Sequence, residues 1–158
     1  MIDLQLVLKL VHILGAAVLF GTGLGIAFFM WMANRTRDPA LIAGTARVVV
    51  IADAVFTATA VVVQPLSGAA SIHVIGYSWR EPWIVAALSL YVFTGLCWLP
   101  VVWIQLRLRD LARAATARGE PLPAAYDRLF AVWFILGWPA FLAVIAIFAV
   151  MIGKPQLW

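Results

Sequence analysis

The strongest constraint on this chain is a set of four long apolar segments, each long enough to cross a lipid bilayer as a helix. They cover approximately residues 4–32, 48–70, 83–106 and 129–152. A transmembrane helix needs about 20 residues to cross a hydrocarbon core of about 30 Å. A water-soluble domain of this size could not bury all four segments, so the sequence predicts an integral membrane protein.

Composition supports the same class. Of the 158 residues, 65% are hydrophobic and only 11% are charged, which is typical of membrane proteins. We predict an all-α, antiparallel four-helix transmembrane bundle that forms one domain over residues 1–158. Its helices are expected at about residues 4–33, 40–70, 83–116 and 124–153.

The first segment is predicted to be a retained helix rather than a cleaved secretory signal. Such signals carry positive charge ahead of an apolar stretch of about 7–15 residues. Asp3 is the only charged residue among residues 1–8, and the apolar stretch here is longer than such signals use. The first helix is therefore expected to stay in the bundle.

Basic residues are concentrated on one side of the predicted bundle, and short basic loops stay in the cytoplasm. Eight of the 11 Lys and Arg residues lie near the connections after the first and third segments: Arg35, Arg37, Arg47, Arg107, Arg109, Arg113, Arg118 and Arg128. Lys9, Arg80 and Lys154 belong to the other side. We therefore expect both termini in the periplasm of a bacterial inner membrane. The net charge of +4 is explained by this topology and by attraction of the basic connections to anionic lipid. We therefore expect no nucleic acid partner.

The connections carry recognisable helix boundaries. Asp38 followed by Pro39 is typical of an N-cap and the first helical position. Gly119 and the Pro-Leu-Pro stretch at 121–123 are expected to separate the third and fourth helices. Residues 71–82 are predicted to form a short aromatic loop on the side of the termini.

Three prolines, Pro65, Pro100 and Pro139, lie at membrane depth. Each removes one backbone hydrogen bond and bends its helix. The carbonyl groups left without a helical partner belong to Val61, Leu96 and Ile135. The bends serve ordinary helix packing, or they open a pocket inside the bundle, where irregular backbone is tolerated.

Few ionisable side chains lie within the apolar segments, and such residues are functional candidates by default. They are Lys9, His12 and Asp53. Lys9 lies about one turn from the end of its helix, so its side chain can reach the membrane surface and meet a haem propionate there. His12 lies deeper. It is interpreted either as a neutral imidazole hydrogen-bonded to a carbonyl or to Gln64, or as an axial ligand of haem iron.

The haem b hypothesis includes further residues on the same side of the membrane. Gly15 and Ala16 lie near His12, where a flat cofactor requires small neighbours. His73 is the second histidine of the chain and a candidate second ligand, and Arg80 is a candidate partner of a propionate. Aromatic residues are candidate walls for a porphyrin: Tyr77, Trp79 and Trp83. Two histidines and a lone cysteine make a poor zinc or copper site.

Asp53 lies one to two turns inside the second segment from the arginine-rich side. A carboxyl group at this depth must be protonated or paired. The predicted hydrogen-bond partners are Thr57, Trp103, Gln105 and Trp133. The residue is interpreted either as part of a structural network or as a proton relay. The sequence lacks a nucleophile, base and acid set, which disfavours hydrolytic or transfer catalysis.

Short motifs along the chain resemble a bacterial family of integral membrane proteins of unknown function. They are residues 8–15 with Gly21-Thr22-Gly23, residues 64–68, Trp98-Leu99-Pro100 with Gln105, and residues 137–141. That family is distantly similar to copper-resistance D-type proteins and to HemJ-type protoporphyrinogen oxidases. The HemJ resemblance implies a haem ligand at His12. The third segment has no counterpart of a lysine found in HemJ-type proteins, which argues against protoporphyrinogen oxidation.

The leading hypothesis is therefore a haem-b-binding membrane protein with a redox or electron-transfer role. One alternative is a small oligomeric transporter or channel that uses Asp53 and the proline bends. Another is a non-catalytic subunit whose arginine-rich connections dock a partner. We expect membrane lipid to surround the protein, and we expect the protein to form a homo-oligomer or to associate with a membrane redox partner.

Overall fold

The computed structural model describes residues 3–157, which form four long helices joined by short connections. The helices are Leu4–Thr36, Pro39–Ile75, Pro82–Arg118 and Ala124–Gly153. All four are long and apolar enough to cross a membrane, and residues 3–157 contain no strand. The predicted all-α fold with four membrane-spanning helices is confirmed.

The bundle has two ends that differ in charge. We call the end formed by residues 37–38 and 119–123 the arginine end, and the opposite end, with residues 76–81 and 154–157, the terminal end. At the arginine end, Arg37 pairs with Asp127 of the fourth helix, and both side chains are half exposed. A surface pair of this kind contributes little to stability.

The second helix begins where the sequence predicts. The Asp38 carboxylate accepts hydrogen bonds from the backbone N–H of Ala40 at 2.8 Å and of Leu41 at 3.4 Å. Pro39 occupies the first turn, where its missing N–H would have no helical partner. This cap starts a helix of 37 residues.

The end of the second helix differs from the prediction. Residues 71–75, predicted as part of a loop, are helical, and the helix closes at Gly76, which has a φ of 86°. Glycine adopts this left-handed conformation without steric cost. Ser71 is compatible with the helix because its hydroxyl donates to the Ser67 carbonyl at 2.8 Å. His73 therefore lies on the last helical turn and not in a loop.

The best-packed part of the interior lies toward the arginine end. Each helix contributes at least one side chain without exposed surface: Met30, Ile42, Leu108 and Tyr126. Ala46 and Ala112, which are also fully buried, let the second and third helices approach closely. All four helices are therefore packed together toward the arginine end.

The second helix changes its main neighbour along its length. Its first part, Pro39–Ala52, packs mainly on the third helix, whereas its last part, Ala58–Ile75, packs mainly on the first. Between them, Asp53–Thr57 form a π-helical turn. The change of neighbour therefore coincides with an interruption of the regular α-helix.

All three membrane prolines lie inside continuous helices. Pro65 leaves the Val61 carbonyl without a helical partner, as predicted, and the Tyr91 hydroxyl of the third helix donates to this carbonyl. A bilayer interior offers no water for such a group. Tyr91 thus satisfies the backbone of the second helix from outside it.

Close packing joins the first helix to the last part of the second. A Cβ atom added at Gly15 would lie 3.0 Å from Gln64 Nε2, and one added at Gly68 would lie 3.3 Å from His12 Cε1. The Gln64 amide also donates to the His12 carbonyl at 2.9 Å. The space beside Gly15, predicted to admit a flat cofactor, is filled by the Gln64 side chain.

We expect Gly15→Leu to destabilise the protein by about 1–3 kcal/mol, because the larger side chain would overfill this contact. Gly23→Leu is the matched control on the same helix, since no neighbouring atom lies within 4 Å of a Cβ at that position. Thermal unfolding of both variants in detergent measures the difference. An equal loss of stability in the two variants would contradict the packing described for Gly15.

Candidate functional site

The buried Asp, Thr, Gln and Ser side chains of residues 3–157 belong to two groups. These side chains are Asp53, Thr57, Gln64, Ser67 and Gln105. The Asp53 cluster consists of Asp53, Thr57, Trp98, Gln105 and Trp133, and the His12 cluster consists of His12, Gln64, Ser67 and Gly68. Asp53 and Ser67 are about 20 Å apart along the helix axis, so the clusters are separate sites.

The Asp53 carboxylate accepts hydrogen bonds on both of its oxygen atoms. Trp98 Nε1 donates to Oδ1 at 3.3 Å. The Gln105 amide nitrogen donates to Oδ2 at 3.3 Å, and Trp133 Nε1 donates to the Gln105 amide oxygen at 3.3 Å. These four residues join the second, third and fourth helices in one network.

The direction of these hydrogen bonds follows from the donor inventory. An indole N–H only donates, so Trp133 requires the Gln105 oxygen, and the Gln105 nitrogen then faces Asp53. Both carboxylate oxygens therefore accept from neutral groups. The salt bridges within residues 3–157 do not involve Asp53. The network offers hydrogen-bond donors, but no positive charge, to the carboxyl group.

Asp53 begins the π-helical turn. The Ala58 N–H donates to the Asp53 carbonyl, a span of five residues instead of four. Thr57 is 6% exposed, and its hydroxyl lies beside the Asp53 carboxyl group but makes no hydrogen bond of good geometry with any described residue. A buried hydroxyl without a well-formed hydrogen bond costs free energy, and π turns are frequent at functional sites. A carboxyl group without a counter-charge and a poorly paired hydroxyl thus lie side by side, one turn apart.

A groove of about 300 Å³ adjoins Asp53 between the second and third helices. Asp53, Trp98 and Gln105 provide the polar part of its wall, and the rest, which is most of the wall, is aliphatic. The groove therefore leaves room beside the Asp53 cluster for a small ligand or a lipid chain.

Sequence analysis identified this cluster only in part. Of the predicted partners of Asp53, Gln105 donates to the carboxylate and Thr57 lies beside it. Trp133 is buried in the cluster but donates to Gln105 and not to Asp53. Trp103 is wrong, because its side chain is 57% exposed on the outside of the bundle. Trp98 was missed. It precedes Gln105 by two helical turns and so shares its face, a periodicity that the sequence already contains.

The His12 ring is held by a serine of the second helix. His12 Nδ1 lies 2.9 Å from Ser67 Oγ, and Ser67 donates its hydroxyl proton to the Val63 carbonyl at 2.7 Å. A hydroxyl has one proton to donate, so Ser67 accepts from His12 when the ring carries its proton on Nδ1, and donates to Nδ1 in the other tautomer. In the first tautomer the Nε2 lone pair is available as an acceptor or a ligand.

The structure brings Gln64 to His12, although the Gln64 amide contacts the backbone carbonyl and not the ring. His73 is exposed on a different face of the second helix from the residues that contact His12. Arg80 is exposed in the following connection, and Lys9 is exposed on the first helix. Within residues 3–157, no three His, Cys, Asp or Glu side chains are grouped to hold a metal ion.

The aromatic residues at the terminal end pack on one another. Tyr77 meets Trp83 edge to face, with ring centroids 5.2 Å apart. Lys154 Nζ donates to the Tyr77 hydroxyl at 2.9 Å, whereas Trp79 is exposed. These residues, predicted as walls of a porphyrin, join the connection at 76–81 to the end of the fourth helix.

Comparison with known proteins identifies a family without an assigned activity. The description "Predicted integral membrane protein (DUF2269)" matches residues 6–155. No curated protein and no solved structure matches the chain. The similarity to copper-resistance D-type and HemJ-type proteins stays a prediction. Because the family match covers nearly all of the sequence, the chain belongs to the DUF2269 family of predicted integral membrane proteins.

Proposed function

We propose that the protein is a small proton-linked transporter or channel in which Asp53 takes up and releases a proton inside the membrane. The supporting observation is the carboxylate itself, which is buried and accepts two N–H donors but takes part in none of the salt bridges of residues 3–157. Burying an isolated charge is costly. A positive charge therefore has to reach this group, and a proton is the smallest one.

The Asp53 cluster is suited to reversible protonation. When the carboxylate is charged, Trp98 and Gln105 stabilise it. When it is protonated, its O–H group needs an acceptor, and the buried Thr57 hydroxyl lies beside the carboxyl group, one turn away. The adjoining groove leaves this side of the cluster open between the second and third helices. Both protonation states can thus satisfy their hydrogen bonds.

Asp53→Asn is expected to abolish proton flux while preserving the fold, at a stability cost of about 1–3 kcal/mol for the mismatched hydrogen bond. The amide keeps the shape of the carboxyl group but does not exchange a proton. The measurement uses liposomes that contain the purified protein and an internal pH-sensitive dye, under an imposed pH gradient.

Asp127→Asn is the matched control, because that carboxylate belongs to a half-exposed surface pair with Arg37. Its flux should equal that of the unmodified protein. Proton flux that survives in folded Asp53→Asn, or that disappears equally in both variants, would remove Asp53 from the mechanism.

Haem b binding with a redox role is a second candidate function, favoured by the contact between the His12 ring and Ser67. Metal-ligating histidines commonly donate their other ring N–H to a neighbouring acceptor, and the 2.9 Å contact of Nδ1 with Ser67 has this form in the tautomer that carries its proton on Nδ1. His73 lies on a different helix face, so the residues fit one axial ligand and not a histidine pair. Arg80 and Lys9 are exposed near the terminal end, where propionates would meet them.

If this second candidate is right, the protein purifies with a Soret band, and His12→Ala removes it because the iron loses its protein ligand. His73→Ala is the control, and it should leave the spectrum unchanged. A change from six-coordinate to five-coordinate haem in His73→Ala would instead make His73 the second ligand. A folded but colourless protein from haem-replete cells would exclude the candidate.

We also propose that both termini face the periplasm of a bacterial inner membrane, on the basis of the concentration of arginine at the arginine end. A reporter that is active only in the periplasm should be active when fused after Trp158. The same reporter should be silent when inserted at Gly119, which is exposed between the third and fourth helices. The opposite pair of results would reverse the orientation.

A further inference from the structure

The groove beside the Asp53 cluster opens on the outside of the bundle. Its aliphatic wall includes Val50, Ala54, Ala58, Val102 and Leu106. Ala54 is exposed, and Ala58 and Leu106 are half-buried. Because the carboxyl group of Asp53 also belongs to the wall, a molecule that enters the groove from the lipid side can reach it.

The shape of the groove follows from the residues of its two helices. On the third helix, Trp98, Val102 and Leu106 recur every four residues and so share one face. On the second helix, this face meets two alanines, Ala54 within the π turn and Ala58 directly after it. Their small side chains leave the space of about 300 Å³ between the helices.

The protein brings no positive charge to the Asp53 carboxyl group. Among residues 3–157, the Lys, Arg and His side chains are all exposed except those of His12 and Arg109. His12 belongs to the other cluster, and the Arg109 guanidinium pairs with Asp110 at 2.8 Å. Asp53 is also the one ionisable residue in the groove wall. A counter-charge for its carboxylate therefore has to come from outside the described chain.

The carboxylate can accept further hydrogen bonds. An ionised carboxyl group has about four acceptor sites, and Trp98 and Gln105 use two of them. A hydrogen bond between a charged N–H group and a carboxylate is about twice as strong as one between neutral groups. A protonated amino group in the groove would thus supply both a donor and the missing charge.

The composition of the groove restricts the class of ligand. Small-molecule sites have volumes of about 300–1,000 Å³, with mostly apolar walls and a few polar groups. A metal ion such as Ca²⁺ needs six to eight oxygen ligands, and no three His, Cys, Asp or Glu side chains within residues 3–157 are grouped to hold one. The aromatic ring of Trp98 also suits an organic cation, since indole rings attract ammonium groups.

We propose that the groove binds an amphipathic amine, a molecule with a protonated amino group and an apolar body. The amino group donates to Asp53, and the apolar body lies along the aliphatic wall. This inference rests on the proposed function and names the substrate that Asp53 exchanges for its proton.

The proton and the amine compete for one carboxylate. An alkyl amine keeps its proton at neutral pH, as lysine does, so it binds the ionised form of Asp53. When it displaces the carboxyl proton, one O–H bond breaks, the proton passes to water, and an N–H···O hydrogen bond forms. One positive charge replaces another, and no co-reactant is consumed.

The first test compares two probes that differ in charge. Naphthylmethylamine carries one amino group on an apolar ring system, and naphthylmethanol is its uncharged counterpart. Equilibrium dialysis of the protein in detergent, against the same detergent alone, measures the binding of each probe. The amine should bind saturably and about tenfold or more tightly than the alcohol, as expected for one hydrogen bond between charged groups. Equal binding would mean that the groove holds only apolar chains such as lipid tails, and would overturn the proposal.

Two substitutions locate the site. Asp53→Asn removes the charge and should weaken amine binding about tenfold or more. Ala58→Leu fills the groove and should weaken it about fivefold or more, the equivalent of an overpacked contact. Ala27→Leu is the matched control, because Ala27 is exposed on the first helix and is not part of the groove wall. It should bind the amine as the unmodified protein does.

Thermal unfolding verifies the fold of each variant. Unchanged amine binding in folded Asp53→Asn, or an equal loss in Ala58→Leu and Ala27→Leu, would overturn the proposal. If the variants do not fold, the comparison of the two probes in the unmodified protein decides the outcome.

Infrared spectroscopy separates a failure of this inference from a failure of the proposed function. The carboxyl band that is absent in Asp53→Asn belongs to Asp53, and it should lose intensity when the amine binds at a pH at which Asp53 is protonated. A band that titrates with pH but does not respond to the amine overturns the amine site and leaves proton exchange in place. If no such band titrates in the unmodified protein, the proposed function fails, whatever the amine does.

Discussion

Because a bilayer interior contains no water, a polar group inside this protein can take its hydrogen-bond partner only from the protein itself. Gln105 shows the effect, because its amide accepts from Trp133 and donates to Asp53, and so joins three helices. Tyr91 joins two helices by serving the Val61 carbonyl. Apolar side chains are solvated by lipid almost as well as by protein. The few polar contacts therefore do much to decide which helices become neighbours.

The four helices were predictable because length and apolar character alone decide which segments cross a bilayer. The start of the second helix at Asp38 was predictable from its capping chemistry. Its extension over residues 71–75 was not. Serine and histidine occur in helices and in loops alike, and the boundary is set by the left-handed conformation of Gly76. The amino-acid composition around Gly76 does not predict at which residue the helix ends.

His12 and Asp53 were identifiable because ionisable residues at membrane depth are rare, but their partners were only partly predictable. Ser67 contacts His12 from the second helix, and Trp98 contacts Asp53 from the third helix. Such contacts depend on how far one helix is rotated and shifted along its axis relative to the next, and one apolar pattern allows several such arrangements. Trp103 lies on the helix and at the depth expected for a partner of Asp53, but its side chain is exposed on the outside of the bundle. Helix and depth alone therefore do not predict which face of the helix a residue occupies.

The π turn at Asp53–Thr57 lets one helix serve two interfaces. It holds one residue more than an α-helical turn and so rotates the following part by about 100° around the axis. Removing a single residue there would swing Gln64 and Ser67 away from the first helix and bring apolar neighbours to His12. One residue added to a helical turn is thus enough to give a single membrane helix two faces that pack on different neighbours.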